Sequence, residues 1–295
     1  MRVLLTGATG FIGSAVARAL VARGAEVHAS VRPGSSLDRL AGIEAAVALH
    51  EVDLGREGQV RALVQTASPD AAIHVAWYAE PARYLDAEEE NEASLHASRL
   101  LLRVLGELGH RRVVMAGTCL ESSHPSQTTA YQRTKAAAHT AALQDASLDA
   151  TCAHIFYVYG PGEDRRRMLP TVIRALLRGE AVAVSEGWQQ RDYLHVADVA
   201  SALCALAESD TVGSVDVCSG SAVRVRDLIE SVGAITGRSD LLRFGLHADS
   251  TAEGWPASGD PGPLHRLGWK PVFDLDSGLR DTISWWAMRE AENDA

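Results

Sequence analysis

The sequence predicts an α/β protein, a Rossmann-type doubly wound parallel sheet followed by a smaller C-terminal lobe. Three observations lead there. Short apolar runs alternate with helix-period stretches through the first half of the 295 residues, the pattern of a parallel sheet with helical crossovers. The runs are nearly continuous in apolar residues, as strands covered on both faces should be. A glycine-rich turn, "TGATGFIG" at 6–13, stands between the first run and the first helical stretch.

The expected strands of the core are Arg2–Thr6, Glu26–Val31, Ala46–Glu51, Ala71–Ala76, Arg112–Ala116 and Thr151–Phe156. Between them lie the helix-period segments Gly13–Ala22, Glu57–Thr66, Leu85–Leu108 and Ala130–Asp145. The second half is less regular, with helices expected near Leu169–Arg178, Ala197–Glu208, Val225–Gly237 and Asp276–Glu290 and short strands at Ala181–Val184 and Ser214–Cys218. A Gly- and Pro-rich loop spans His247 to Pro263. The break at Tyr159-Gly-Pro-Gly162 marks the expected boundary. It separates a cofactor core, 1–160, from a substrate lobe, 161–295, with about 190–218 returning to the core.

Composition narrows the function. Hydrophobic content of 46% and charged content of 22% suit an ordinary globular chain. A net charge of −10 argues against nucleic acid or an anionic membrane as partner. No apolar run reaches the roughly 18 residues of a membrane span, and the N-terminus opens directly on a strand, so the expected location is the cytoplasm. The cysteines Cys119, Cys152, Cys204 and Cys218 form no CxxC pair and read as reduced, buried residues. No His/Cys/Asp grouping shows metal-ligand spacing along the chain, so no metal is expected.

In the glycine turn, Gly7, Gly10 and Gly13 allow a tight turn and close approach of backbone to a pyrophosphate, which the helix N-terminus then faces. A Rossmann-type site for NAD wants an acid about 20 residues on, at the end of the second strand. Here Val31 occupies that place and Arg32 follows. A guanidinium there either pairs with a 2′-phosphate, which favours NADP, or is merely solvated.

The chain has only two lysines, Lys135 and Lys270, among 28 basic residues. Lys135 follows Tyr131 by four residues, so the two share a helix face. A phenol with an ordinary value near 10 is a poor acid or base at neutral pH, and a nearby ammonium is expected to lower it. Thr118, at the end of a strand 13 residues earlier, completes a candidate set.

With these pieces the chain resembles the extended short-chain dehydrogenase/reductase superfamily, in its branch of sugar-nucleotide epimerases, dehydratases and 4-ketoreductases. The matching segments follow one another in family order: "TGATGFIG", "VDL" at 52–54, "IHVAW" at 73–77, "AGT" at 116–118, "AYQRTK" at 130–135, "FYVYGPGED" at 156–164, "QRDYLHVADVA" at 190–200 and "LGWKP" at 267–271. The resemblance implies that Tyr131 is the acid/base, that Lys135 binds the nicotinamide ribose, and that Thr118 hydrogen-bonds the reacting oxygen. It further implies cofactor contacts at Gly7, Gly10, Phe11, Ile12 and Gly13, with Asp53 and Leu54 flanking adenine and Ala76 beside the cofactor. Arg191 would bind the diphosphate of a sugar nucleotide, and Ala181–Val184 would lie along its base. The two longest core helices would form a four-helix bundle with a second copy.

The departures shape the expected activity. Where 4,6-dehydratases carry Asp-Glu after the threonine, this chain has Cys119 and Leu120, and Glu121 comes one residue too late. Tyr157 replaces an asparagine, Ser94 stands where relatives keep a structural one, and Trp77 and Tyr78 enlarge a place that is usually small. The expected activity is NADP-dependent reduction of a nucleotide-diphosphate 4-keto-6-deoxyhexose. The alternatives are an NAD-dependent 4-epimerase, a reductase of a non-sugar carbonyl, and a non-catalytic NAD(P)-binding regulator.

Overall fold

The computed structural model describes residues 1–122, 128–247 and 255–293, so 248–254 of the long Gly- and Pro-rich loop lie outside the described residues. The first strand, β1 (Arg2–Thr6), runs into the glycine turn and α1 (Phe11–Ala22). There follow β2 (Glu26–Val31), β3 (Val47–Glu51), α2 (Glu57–Ala67), β4 (Ala71–His74), α3 (Glu88–Glu107), β5 (Arg112–Thr118), α4 (Ala130–Gln144) and β6 (Asp149–Ile155). The second half comprises β7 (Tyr157–Tyr159), α5 (Met168–Leu177), β8 (Val182–Ala183), β9 (Gln190–His195), α6 (Val196–Ala207), β10 (Gly213–Val217), β11 (Ala222–Arg224), α7 (Val225–Thr236), β12 (Leu242–Arg243), α8 (Gly262–Arg266) and α9 (Leu275–Asn293).

Seven parallel strands form one sheet in the order β10-β6-β5-β4-β1-β2-β3. The order reverses between β1 and β4, and an open α/β sheet leaves a crevice at the carboxyl ends of the strands there. Val3, Leu5, Ile73, Val114 and Val215 pack with α1 and α6 on one face, and Leu4, Ala72, Val113 and Met115 pack with α2, α3 and α4 on the other. A third cluster, with Leu169, Ile173, Leu228, Ile229 and Leu279, joins α5, α7 and α9 into the lobe beside it. All four cysteines are buried, and none is in a disulfide.

Several expected boundaries shift. The strand at Ala71 ends at His74, which leaves Ala76 in the irregular segment that follows, where its N–H donates to Thr6 Oγ1 at 3.2 Å. The segment expected to be helical from Leu85 begins at Glu88, because residues 80–87 are spent in turns such as Tyr84 N–H to the Glu80 carbonyl. α1 starts at Phe11, two residues before Gly13. β5 extends to Thr118 and β6 spans Asp149–Ile155, held in register from Arg112↔Asp149 to Thr118↔Ile155. Gly262 lies in the expected loop but opens the short α8.

Candidate active site

The glycine turn crosses the mouth of the β1/β4 crevice. Gly7 has φ +75°, and a Cβ there would stand 2.7 Å from the Ala76 nitrogen. A Cβ at Gly13 would overlap the Gly7 carbonyl, 2.7 Å from its carbon. Gly10 caps α1 with no side-chain hydrogen bond, so no side chain competes with an anion for the first-turn N–H groups. Phe11 and Ile12 open the helix, Arg32 stands exposed directly after β2, and Asp53 and Leu54 follow β3. Asp53 is occupied within its own turn, accepting from Gly55 N–H at 2.9 Å and Arg56 Nε at 3.1 Å. These residues fit a dinucleotide, since the cradle is built where any side chain would fill it.

Sequence reasoning missed Arg39. Its guanidinium donates to the Gly162 carbonyl at 3.1 and 3.2 Å and to the Thr9 carbonyl at 3.4 Å, tying the glycine turn to the "GPGED" segment. Nothing in local spacing pointed to it, because it joins segments 123 residues apart.

Tyr131 and Lys135 lie on α4, which a complete capping box anchors: Thr129 accepts from Gln132 N–H, and the Gln132 side chain accepts from Thr129 N–H. Lys135 is 5% exposed and donates from Nζ to the Ala116 carbonyl at 2.7 Å. Its ammonium sits 4.0 Å from the Trp77 ring centroid and 5.9 Å from that of Tyr131. Burial pushes Lys135 down to about 8, against the opposing charge of Glu121. Thr118 ends β5, with its N–H on Glu121 Oε1 at 2.7 Å and its Oγ1 accepting from Leu120 N–H at 3.3 Å.

The expectation that Lys135 holds the Tyr131 phenol below its ordinary value is corrected. Burial pushes Tyr131 well above it, Tyr84, Glu121 and Cys119 push the same way, and only Arg167 opposes them. The ammonium is spent on the Ala116 carbonyl and the Trp77 face, so Tyr131 stays a protonated phenol. The Tyr84 and Trp77 rings meet Tyr131 edge-on at 4.9 and 6.4 Å, and Arg167 lies 4.9 Å over Tyr84. Within the Arg165–Arg167 run, Arg166 pairs at the surface with Asp164 and Glu80, while Arg167 turns inward.

Ser94 accepts from Tyr78 N–H at 3.2 Å and donates to the Glu90 carbonyl at 2.8 Å. One turn earlier, the fully buried Asn91 accepts from Trp77 Nε1 at 2.8 Å and donates to the Tyr84 and Ala87 carbonyls at 2.7 and 2.8 Å. The expectation of no metal-like grouping also changes with tertiary structure, since Glu121, His139 and His154 bring one ligand atom each within 4.8 Å of one another. His74 is a buried structural link between Thr6 and Ser98, and His195 caps α6.

Beyond the aromatic wall a cavity of about 400 Å3 is lined by Tyr157, Met168, Val182, Arg191, Tyr193 and Trp255. Arg191 is 6% exposed, with its guanidinium 5.2 Å from the Tyr157 ring and 5.7 Å from the Trp255 ring. A buried cation between aromatic faces in a mostly apolar cavity suits an anion joined to a flat or apolar group.

The "GPGED" segment brings in Glu163, which sequence reasoning left unassigned. Its Oε2 is buried without a hydrogen-bond partner, and burial pushes the carboxyl up to about 8, against Arg167 and with Asp164. In the folded chain it stays protonated where an unfolded chain has already ionised. Its contribution to stability is therefore full below about 4.5 and is lost as pH rises through about 8. Glu163→Gln should flatten that segment of the stability–pH curve in chemical denaturation. An unchanged slope would contradict the placement.

A family model described as the NAD dependent epimerase/dehydratase family matches residues 3–218. The chain belongs to that family. As an epimerase/dehydratase-family member it is an NAD(P)-dependent enzyme of the oxidoreductase type. A dTDP-4-dehydro-6-deoxy-D-allose reductase from a Streptomyces species is 26% identical over 98% of this chain and 97% of its own length. The dTDP-glucose 4,6-dehydratase of Salmonella typhimurium is 23% identical over 97% of this chain and 92% of its own. Among solved structures, the UDP-glucose 4-epimerase of Thermotoga maritima, crystallised with UDP-glucose, superposes with a TM-score of 0.85 over 98% of this chain and all of its own, at 20% identity. At that identity the epimerase shares the fold alone. No helix among the described residues is long and apolar enough to cross a membrane.

Proposed function

We propose that this family member reduces the 4-keto group of a nucleotide-diphosphate 4-keto-6-deoxyhexose with NADPH. The observation that carries the reading is the make-up of the site around Thr118. Tyr131 is a part-buried, protonated donor, whereas Cys119 and Leu120, the two positions directly after Thr118, are buried among Phe156 and Cys218 in an apolar cluster. Dehydration has to remove one proton and expel water, which takes further acid/base groups there. Carbonyl reduction needs one proton donor. The whole-length similarity to a reductase of a 4-dehydro-6-deoxy sugar nucleotide supports the same choice.

In this reading the glycine turn, Arg39 and Arg32 hold the cofactor, and Lys135 meets its ribose. The reduced nicotinamide, when bound, supplies hydride. Arg191 anchors the substrate diphosphate in the cavity, with the nucleotide base along Ala181–Val184. Thr118 and Tyr131 orient the carbonyl oxygen, and Tyr131 gives it a proton as negative charge develops. Trp77, Tyr78 and Tyr157 shape the sugar pocket and exclude water. The same reading places the enzyme in the cytoplasm as a homodimer through the exposed faces of α3 and α4.

The test is incubation with NADPH and a panel of 4-keto-6-deoxy sugar nucleotides. One equivalent of NADPH should be consumed per hydroxy-sugar formed, by protein that purifies with little bound cofactor. Protein that carries tightly bound NAD and interconverts two hydroxy-sugars without net consumption would contradict it. Arg32 should make NADPH bind more tightly than NADH by about tenfold or more, the worth of one charge-assisted hydrogen bond. Arg32→Ala should close that gap mainly by weakening NADPH, as read by fluorescence titration of both cofactors. Equal affinities in the native enzyme would remove Arg32 from the site.

A further inference from the structure

Behind Thr118 lies a part-buried series of titratable groups that the reaction as described does not use. Glu121 sits in the single turn that follows β5, with a side chain only 6% exposed. Its Oε1 accepts the Thr118 N–H at 2.7 Å, and its Oε2 lies 2.7 Å from His139 Nδ1 and 3.8 Å from His154 Nε2. His154 continues to Asp216 at 3.4 Å, and Asp216 accepts from Asp260 N–H at 3.0 Å. The backbone is shaped around this contact, since a Cβ at Gly117 would stand 2.5 Å from Glu121 Oε1 and 2.7 Å from His139 Nε2. Tyr131, Lys135 and His139 are spaced by four on α4, so one helix face presents the proton donor, the ammonium and the imidazole in sequence.

We propose that Glu121 is a positioning residue: one oxygen pins the Thr118 backbone, and the other, backed by His139, sets a carboxylate charge behind the helix face that carries Tyr131 and Lys135. The carboxylate is placed to stay ionised. Burial pushes Glu121 up, but the adjoining imidazole of His139, the Thr118 N–H and the charge of His154 outweigh it, so it rests below the usual carboxylate range. Its charge raises both Lys135 and Tyr131. The other groups that feel it are His139 and His154, and Cys152, which it pushes up further. The grouping is a carboxylate set between two imidazoles rather than a metal centre. Nitrogen and oxygen ligands about 2.0–2.1 Å from one zinc stand roughly 3.3 Å apart in a tetrahedron, whereas His139 Nδ1 and Glu121 Oε2 are 2.7 Å apart.

The inference rests on Tyr131 and Lys135 as the catalytic pair, and its test needs no substrate. Labelling lysine with carbon-13 at Cε gives two signals, because the chain has two lysines, and the conservative Lys270→Arg assigns them. The Lys135 signal should titrate near about 8 in the wild type. In Glu121→Gln, which keeps an acceptor for the Thr118 N–H but loses the charge, that midpoint should fall by roughly a pH unit. An unmoved midpoint in a variant with the wild-type thermal unfolding temperature would overturn the proposal. His139→Gln should move it the same way, because Glu121 loses the partner that holds it ionised.

The wild type offers a check that needs no variant. The Thr118 amide proton should lie far downfield and exchange slowly, as a charge-assisted bond requires. An ordinary shift with fast exchange would overturn the proposal, as would a stoichiometric zinc ion that Glu121→Gln loses. If the reductase reading alone is wrong, NADPH goes unconsumed while both NMR results stand.

Discussion

Tyr131→Phe should lower turnover by about 10²–10⁴-fold, the usual loss when a positioned proton donor is removed. The change deletes one oxygen from a ring held by contacts that do not involve it. Tyr84 and Trp77 meet the ring edge-on, and the Tyr131 N–H is fixed on the Leu85 carbonyl at 3.0 Å. The phenylalanine ring should therefore occupy the same place, and NADPH affinity should change by less than about twofold. Lys135→Ala should behave differently. It leaves the Ala116 carbonyl and the Trp77 face without their cation, so both turnover and cofactor affinity should fall. Single-turnover kinetics beside a cofactor titration separate the two cases. A Tyr131→Phe enzyme with wild-type turnover would remove Tyr131 from the reaction.

Gly13→Ala should cost the enzyme its cofactor. A Cβ at that position falls onto the Gly7 carbonyl and 3.1 Å from the Ala8 Cα, so the obstacle is backbone and no side chain can swing clear. Gly7 cannot retreat either, because it is held at φ +75° against the Ala76 nitrogen. Overpacking of this kind destabilises by about 1–3 kcal/mol. Opening the turn also withdraws the backbone N–H groups from a pyrophosphate, at about 1.5–3 kcal/mol per charged hydrogen bond. Two such bonds put the loss of affinity at a hundredfold or more. Calorimetric titration with NADPH, on protein shown to be folded by circular dichroism, checks it. Binding within threefold of wild type would mean that the dinucleotide lies elsewhere.

The parts of this site that were legible in the sequence are those that local chemistry dictates. The glycine turn is read from three glycines between a strand and a helix, and Tyr131 with Lys135 from helical spacing and from a lysine in a chain that otherwise uses arginine. Residues that act across long separations were not legible. Arg39 reaches Gly162, and Asn91 braces Trp77 from the next helix. His139 and His154 find Glu121 only after β5, α4 and β6 have packed. Glu121 shows the difference most directly. Along the chain it is a carboxylate one residue too late for dehydration, and in three dimensions it is the acceptor for the Thr118 N–H. Protonation states were equally hidden, since spacing alone suggested that Lys135 lowers Tyr131, while burial raises Tyr131 and lowers Lys135.

The most direct measurement is isotope transfer. The enzyme is given NADPH carrying deuterium at the transferable nicotinamide position, together with a nucleotide-diphosphate 4-keto-6-deoxyhexose, and the sugar product is analysed by mass spectrometry and proton NMR. The expected result is one deuterium per product molecule, located at C4, with an equal amount of NADP+ formed. A product without deuterium, formed while NADPH is untouched, would contradict the account.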